Sequence, residues 1–231
     1  MYLVIDTATS RLGLALLDDS ELVGEVTWHT RQNHTAELVP TLEYLLDRAK
    51  VELHSLKGII VAKGPGSFTG LRVGITTAKG LAMSTEAPLV GVSTLEAWAH
   101  PYVGTGLPVC AVQEAGRGQV AAAIFQWSND HTERILSEHI TNAEEICRHI
   151  RRPTILCGEM SDSTRTALKE SLDDNALMTD TRGLTHRAAV LGQLGRLKIE
   201  RDELDDPPTL QPLYLRRPSI TKPSKSKKGT A

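Results

Sequence analysis

The 231-residue sequence contains only three cysteines, Cys110, Cys147 and Cys157. Their number is odd, they lie far apart and no C-x-x-C spacing occurs, so the sequence argues against a disulfide framework or a zinc knuckle and favours a reducing compartment. No apolar run approaches the length of a membrane span, and the first 17 residues lack the basic start and the cleavage site of a signal peptide. We therefore expect a soluble, cytoplasmic protein that does not associate with a membrane.

Two common nucleotide-binding motifs are also missing from the glycine-rich segment at 64–80, GPGSFTGLRVGITTAKG. A Walker loop needs G-x-x-x-x-G-K-[ST], which does not occur, and G-x-G-x-x-G fails by one residue because the third glycine is Gly70. A strand followed by a glycine turn and a helix can still present helix amides to an anion. A structural turn that sets the packing of the helix on the sheet is favoured, and it consists of Gly64, Pro65, Gly66 and Gly70.

Catalytic and metal-binding constellations are equally sparse. His29 and His34 lie five residues apart and His131 and His139 eight apart, so neither pair has the i, i+4 spacing of metal ligands on one helix face. Ser67 and Thr69 provide hydroxyls in the glycine turn, but no histidine stands at a recognisable triad spacing. We predict no catalytic residue, no metal site and no cofactor.

Charge is distributed unevenly along the chain. The last sixteen residues carry six positive charges and no acid, so the net charge of −2 leaves −8 for residues 1–215. Those cations are Arg216, Arg217, Lys222, Lys225, Lys227 and Lys228. Residues 217–231 are too polar to fold alone and are predicted to be a disordered basic tail. A solubilising terminus is favoured over a tether for tRNA phosphates, because no aromatic residue is interleaved for base stacking.

The first hundred residues follow a regular order of periodic segments. Short apolar runs predict three early strands, and apolar residues at helical spacing predict an amphipathic helix at 37–50 with Pro40 near its first turn. A buried strand then leads through the glycine turn into a helix at about 71–83. A strand at 89–92 follows, and Ser93 with Glu96 forms a capping box that opens another helix.

The second half gives weaker patterns. Residues 108–114 and 119–127 predict a hairpin around Gly116 and Gly118. Thr141 with Glu144 predicts a capped helix through Ile150, followed by a short strand at 154–157 and a last helix at 184–199. With a boundary near residues 100–107, the predicted domains are 1–104, 105–216 and the tail 217–231.

Four sequence blocks carry a resemblance to a known family. They are IDTAT at 5–9, the segment 34–46 with Pro40 inside it, the glycine block continuing through LVGVSTLEA at 89–97, and PLYLR at 212–216. In these blocks the chain closely resembles the bacterial TsaB (YeaZ) family, the non-catalytic partner of TsaD in making threonylcarbamoyladenosine on tRNA. The resemblance is dense to about residue 100. At 114–120 the chain has EAGRGQV, where the family usually shows Asp-Ala-Arg running into Gly-Glu.

The resemblance implies an α/β protein of the actin-like ATPase (ribonuclease H-like) fold, with two lobes of which the C-terminal one is reduced. It implies a scaffold that binds a TsaD-like catalytic subunit, helps to recruit a TsaE-like ATPase, meets tRNA only through the complex, and forms a homodimer when alone. In the family, the two N-terminal-lobe helices are the docking face. The corresponding interface residues are Leu38, Leu42, Leu45, Leu71, Gly74, Ile75, Ala78 and Ala82.

The resemblance also identifies a vestigial nucleotide site at Asp6, Thr7 and Thr9, because actin-like ATPases place an aspartate at the end of the first strand. An aspartate that accepts backbone N–H bonds in a turn is the favoured interpretation. The two metal-binding histidines of TsaD correspond to Thr94 and Trp98, which cannot replace them. Two alternatives remain: an independent ATPase or kinase of this fold, and a metal-dependent peptidase.

Overall fold

The computed structural model describes residues 1–19, 21–30, 33–128, 131–179 and 187–216. The predicted basic tail, 217–231, therefore lies outside the described residues. Within them the chain forms two five-stranded mixed sheets flanked by helices. Among the helices so described, none has the length and apolar character of a membrane-spanning segment.

The first sheet has the strand order β3-β2-β1-β4-β5. The strands are β1 (Tyr2–Asp6), β2 (Arg11–Leu17), β3 (Leu22–His29), β4 (Gly58–Gly64) and β5 (Leu89–Ser93). β1 pairs antiparallel with β2 and parallel with β4, so that Val4 lies between Ala15 and Ile60. The three early strands and the two later ones are where the apolar runs predicted them.

Helices cover both faces of this sheet. α1 (His34–Ala49) and α2 (Phe68–Thr85) pack on one face, and α6 (Arg187–Glu200) packs on the other. Because side chains alternate along a strand, Leu3 and Ile5 of β1 lie in the core under α1 and α2, whereas Val4 lies under α6. α1 begins at His34 and not at the predicted residue 37, so Pro40 lies inside the helix in its second turn and the predicted position near the first turn was wrong.

The second sheet has the strand order β10-β9-β6-β7-β8. Its strands are β6 (Val109–Glu114), β7 (Val120–Ser128), β8 (His131–Thr141), β9 (Thr154–Glu159) and β10 (Ala176–Met178). The predicted hairpin is confirmed: β6 and β7 are antiparallel, and Gly116 and Gly118 in the turn have φ values of 72° and 69°. The sequence analysis missed β8, an edge strand whose residues are exposed or half-buried except for Thr141 and which therefore lacks an apolar run.

Three further helices pack on the second sheet. α3 (Thr94–Ala99) lies against one face of the second sheet, and α4 (Ala143–His149) and α5 (Asp162–Leu172) lie against the other. α5 was not predicted. The N-cap of α4 is Asn142, whose side chain accepts from the Glu145 amide at 3.0 Å, and not Thr141. Thr141 instead ends β8, so the capping prediction was wrong by one residue.

The capping box of α3 is half formed. The hydroxyl of Ser93 accepts from the Glu96 amide at 3.4 Å, as predicted. The Glu96 carboxylate does not complete the box by bonding the Ser93 amide but lies 3.3 Å from the guanidinium of Arg134 on β8. This helix end is thus tied to the second sheet.

The chain crosses between the two sheets twice. A 3-10 helix, His100–Thr105, connects them near the predicted boundary. After the second sheet, however, α6 and the segment that follows return to the first one: the Asp205 amide donates to the Leu89 carbonyl at 2.8 Å, and the Leu213 amide to the Lys63 carbonyl at 2.7 Å. The last part of the predicted 105–216 domain therefore packs with the first lobe.

Candidate functional site: the glycine turn, two helices and the cleft between the sheets

The glycine turn presses the start of α2 against the loop that follows β1. Gly64 has a φ of 107°, and the Ser67 amide donates to the Ala8 carbonyl at 2.7 Å. A Cβ added at Gly66, Gly70 or Gly74 would lie less than 3.0 Å from an atom of Ala8 or Thr7. The glycines thus permit a close backbone approach, which supports the interpretation of the turn as a packing device.

Asp6 is buried at the end of β1 and is held by groups of the chain itself. Its Oδ1 accepts from the Ala8 amide at 3.0 Å, and its Oδ2 forms an ion pair with Nε of Arg187 at the start of α6. The Arg187 guanidinium also donates to Thr9 Oγ1 at 3.2 Å and lies 5.0 Å from the ring centre of Trp98. A turn-forming aspartate was the favoured prediction, and the backbone bond agrees with it.

The other two residues of the predicted nucleotide site are also engaged internally. Thr7 is fully buried and donates to the Gly70 carbonyl at 2.7 Å. The hydroxyl oxygen of Thr9 accepts hydrogen bonds from the Arg11 amide and from the Arg187 guanidinium. Arg187 could not be identified from the sequence, because it lies 181 positions from its partner Asp6.

Thr94 and Trp98, the two residues at the positions of the TsaD histidines, both lie on α3. Thr94 Oγ1 and Trp98 Nε1 are buried and have no hydrogen-bond partner among the described residues. Neither group can donate a lone pair strongly to iron or zinc. Within the described ranges, no group of three His, Cys, Asp or Glu side chains could hold a metal ion.

The eight residues expected at the partner interface require a correction. All of them are buried inside the chain, with side-chain exposures of at most 4% where a value applies. Leu38, Leu42 and Leu45 point from α1 into the first core, and Ile75, Ala78 and Ala82 point into it from α2. Leu71 packs in the core under α6, and Gly74 meets Thr7. The apolar stripe that the sequence displays is therefore the inner side of each helix.

The outer side of the same two helices carries a different set of residues. Val39 and Tyr44 of α1 are 46% and 58% exposed, and Met83 of α2 is 65% exposed. Gly80 faces outward on α2, and a Cβ there would meet nothing within 4 Å. We call these four residues the α1–α2 face. Exposed apolar side chains on neighbouring helices are typical of an interaction surface.

A cleft of about 340 Å³ lies where the glycine turn meets the second sheet. Pro65 and Gly66 form part of one wall, β6 and β7 form another, and residues 213–216 close it. Phe68 and Tyr214 stand at this cleft with their ring centres 5.2 Å apart, and the guanidinium of Arg72 lies 5.3 Å from the Phe68 ring centre.

Two polar side chains of β6 line the cleft. Gln113 is 5% exposed, and its Oε1 has no hydrogen-bond partner among the described residues. Burial raises the pKa of Glu114, but hydrogen bonds from the Ser161 amide and the Thr164 hydroxyl outweigh it and hold that pKa below its usual value. Glu114 is therefore an ionised acceptor fixed to the start of α5.

Known proteins resemble the chain over most of its length. Residues 22–170 match the family model described as TsaD, tRNA N6-adenosine threonylcarbamoyltransferase. Over 217 residues the chain is 30% identical to the tRNA threonylcarbamoyladenosine biosynthesis protein TsaB of Bacillus subtilis, and the match covers 93% of each chain. The chain belongs to the TsaB family. The resemblance inferred from the four sequence blocks is confirmed.

Solved structures agree with this assignment to the TsaB family. YeaZ from Pseudomonas aeruginosa matches with a TM-score of 0.77 at 25% identity, over 93% of this chain and 99% of that one. A ROK hexokinase from Thermus thermophilus matches with a TM-score of 0.51 at 10% identity, over 86% and 99%, which shows a shared fold alone. The predicted two-lobed actin-like, ribonuclease H-like fold is thereby confirmed.

The segment at 114–120, which departs from the usual TsaB-family pattern, makes its own contacts. Glu114 bonds the start of α5, and Gln119 Oε1 accepts from the guanidinium of Arg216. The departing residues therefore tie the β6–β7 hairpin to the C-terminal segment that lines the cleft.

Proposed function

We propose that the chain is a non-catalytic subunit in the biosynthesis of threonylcarbamoyladenosine on tRNA, and that it binds a TsaD-like catalytic subunit through the α1–α2 face. The names of the relatives support the process, and the match to the TsaD model supports a partner of related fold. The observation that carries the docking proposal is the exposure of Val39, Tyr44 and Met83 on the same two helices as the exposed Gly80.

The α1–α2 face suits a helix of a partner. Gly80 has no side chain, so a partner backbone can approach α2 closely there, while the exposed side chain of Met83, one turn further along α2, can be buried on contact. The same face supports a homodimer when the partner is absent, because it is apolar and available. Docking here leaves the cleft and the second lobe accessible to a TsaE-like ATPase and to tRNA held by the complex.

A supporting role fits the chemistry of the chain. Asp6, which stands at the end of the first strand where actin-like ATPases place an aspartate, is buried in an ion pair with Arg187. A carboxylate neutralised in this way is poorly placed to hold a metal-bound nucleotide. Transfer of the threonylcarbamoyl group is therefore assigned to the catalytic partner.

The decisive experiment compares Gly80→Arg with Thr166→Arg in binding to the purified TsaD-like subunit of the same organism. Thr166 is an exposed position on α5, so it controls for the added charge and bulk. We expect Gly80→Arg to weaken binding by at least tenfold in calorimetry, because the arginine would hold the partner helix away. The control should bind as the parent does.

The choice of Gly80 rather than Gly74 keeps the test interpretable. An arginine at Gly74 would collide with Thr7 inside the fold, whereas one at Gly80 points into open space and replaces a poor helix former. Retained folding can be checked by thermal unfolding. Undiminished affinity of Gly80→Arg would refute the α1–α2 face, and failure of the parent chain to bind would refute the subunit role.

A further inference from the structure

The cleft beside the glycine turn has an unused hydrogen-bond acceptor in its wall. Gln113 is buried, yet its Oε1 has no partner among the described residues. Burying a carbonyl oxygen without a donor costs free energy, so such groups in native proteins usually meet water, an ion or a ligand. Gln113 lines the cleft, but Oε1 is shielded inside the wall, so a ligand there that donates an N–H would satisfy it once the side chain turns toward the cleft.

The cleft also carries an exposed aromatic surface. The chain has only two phenylalanines, and one of them, Phe68, is 41% exposed beside Tyr214, which is 39% exposed. With Arg72 placed over Phe68, the two rings form a short cationic stack. Stacks of this kind bind planar groups, and they favour nucleobases because every base has a flat π-face.

The charge around this end of the cleft favours a polyanion over a protein segment. Arg216 lines the cleft and Arg72 stands beside it. In the sequence, the fifteen residues after Arg216 contain five basic residues and no acid, although residues 1–215 carry a net −8. Arg72 and Arg216 thus offer two described cations to phosphates, against one carboxylate in the cleft lining, that of Glu114.

We propose that this cleft binds an unpaired base of RNA. The base stacks on Tyr214, its exocyclic amino group donates to Oε1 of Gln113, and the phosphates on either side run past Arg216. Adenine and cytosine carry such an amino group, and uracil does not. The inference rests on the proposed role in tRNA modification for the choice of RNA as the polymer.

The test measures fluorescence anisotropy of labelled (rA)8 and (rU)8 with the full chain. We expect (rA)8 to bind more tightly than (rU)8 and Tyr214→Ala to weaken (rA)8 binding roughly tenfold, since stacking is lost. Gln113→Met should reduce the preference for (rA)8 without lowering the thermal midpoint. Replacing Lys225, Lys227 and Lys228 by glutamine should reduce the slope of log affinity against log salt by about 2.

Tyr44→Ala is the matched control, because Tyr44 is an exposed tyrosine on the α1–α2 face. It should keep parental (rA)8 affinity and lose affinity for the TsaD-like subunit, whereas Tyr214→Ala should do the reverse. Because the two variants are expected to affect different binding partners, the two measurements distinguish failure of the RNA proposal from failure of the docking proposal.

Three outcomes would overturn the RNA proposal. The first is equal (rA)8 affinity of Tyr214→Ala and the parent. The second is competition by AMP as strong as that by unlabelled (rA)8, which would assign the cleft to a free nucleotide. The third is a Tyr214→Ala variant that loses the TsaD-like subunit but keeps RNA, which would make the cleft a protein-docking site.

Discussion

The two sides of the glycine turn differ sharply in how their polar groups are used. Toward the β1–β2 loop, Thr7 and Asp6 are buried and each is bonded by the chain itself. Toward the cleft, Gln113 keeps an unpartnered acceptor and Tyr214 stays exposed, as far as the described residues show. We call these the closed side and the open side. The nucleotide site predicted from the family resemblance lies on the closed side, and the base-binding cleft proposed above lies on the open side.

The largest effect is expected on the closed side, from Asp6→Ala. The change leaves the buried Arg187 guanidinium without its counter-ion, and breaking a buried pair in this way costs about 3–5 kcal/mol of unfolding free energy. Urea unfolding measures it. The double variant Asp6→Ala/Arg187→Met should recover part of the loss, because no buried charge then remains. An unchanged stability, together with ATP binding that the variant abolishes, would instead support the rival ATPase function.

A smaller effect is expected from Gly70→Ala, which tests the close approach of α2 to the β1–β2 loop. The new methyl group would press on the Thr7 carbonyl, a backbone atom that cannot swing away, so we expect a loss of about 1–3 kcal/mol. Gly80→Ala on the outer side of the same helix should gain up to about 1 kcal/mol, because alanine is the better helix former. Equal effects of the two variants in thermal unfolding would contradict the proposed difference between the inner and outer sides of α2.

On the open side, Gln113→Met should raise stability by about 1 kcal/mol. Methionine has a similar volume and removes a buried acceptor that the described residues leave unsatisfied. Thr154→Val provides the contrast, since Thr154 is buried and donates to the Arg152 carbonyl. That variant should lose stability in the same urea titration. A destabilised Gln113→Met would show that Gln113 already has a structural partner.

The smallest effect is a pH dependence from Glu114. Hydrogen bonds from Ser161 and Thr164 lower its pKa in the folded state relative to the ordinary value of 4.5. The bonds therefore stabilise the fold fully above that value, and this stability is lost as the pH falls through the lower folded pKa. Because Glu114 is largely solvated, the effect should stay below about 1 kcal/mol. Glu114→Gln should flatten the difference between stabilities measured at pH 6 and pH 3; an identical profile for parent and variant would contradict the assignment.

The sequence predicted those parts of the fold that depend on local pattern. Apolar runs in the sequence mark β1, β2, β4 and β5, and an apolar stripe marks α1. These patterns exist because other elements of the chain cover one or both faces of each strand and one side of the helix. The edge strand β8 was missed because its exposed face carries polar residues with no apolar repeat. Asn142, and not Thr141, is the N-cap of α4. Both residue types can accept a hydrogen bond from a backbone amide at a helix start, so the backbone conformation determines which of them caps the helix.

The candidate site was predicted less well than the fold, for a physical reason. An apolar stripe on a helix marks a face that is buried, but it does not say whether the chain or a partner buries it. Leu42 and Ala78 illustrate this, because both belong to the chain's own core. The pair of Asp6 with Arg187, and the cleft that both Gln113 and Tyr214 line, bring together residues far apart in sequence. No spacing rule could bring them together before the fold was known.

The return of α6 to the first sheet makes the second lobe an insertion within the first. Val4, Ala15 and Ile60 are covered by Ala188, Leu191 and Leu194, residues synthesised more than a hundred positions after the strands they shield. During translation, the apolar surface of the first sheet that α6 covers is therefore exposed until nearly the whole chain has left the ribosome. A gene fragment that stops at residue 104 would yield an aggregating polypeptide, and an internal deletion that spares α6 is the rational way to isolate that lobe.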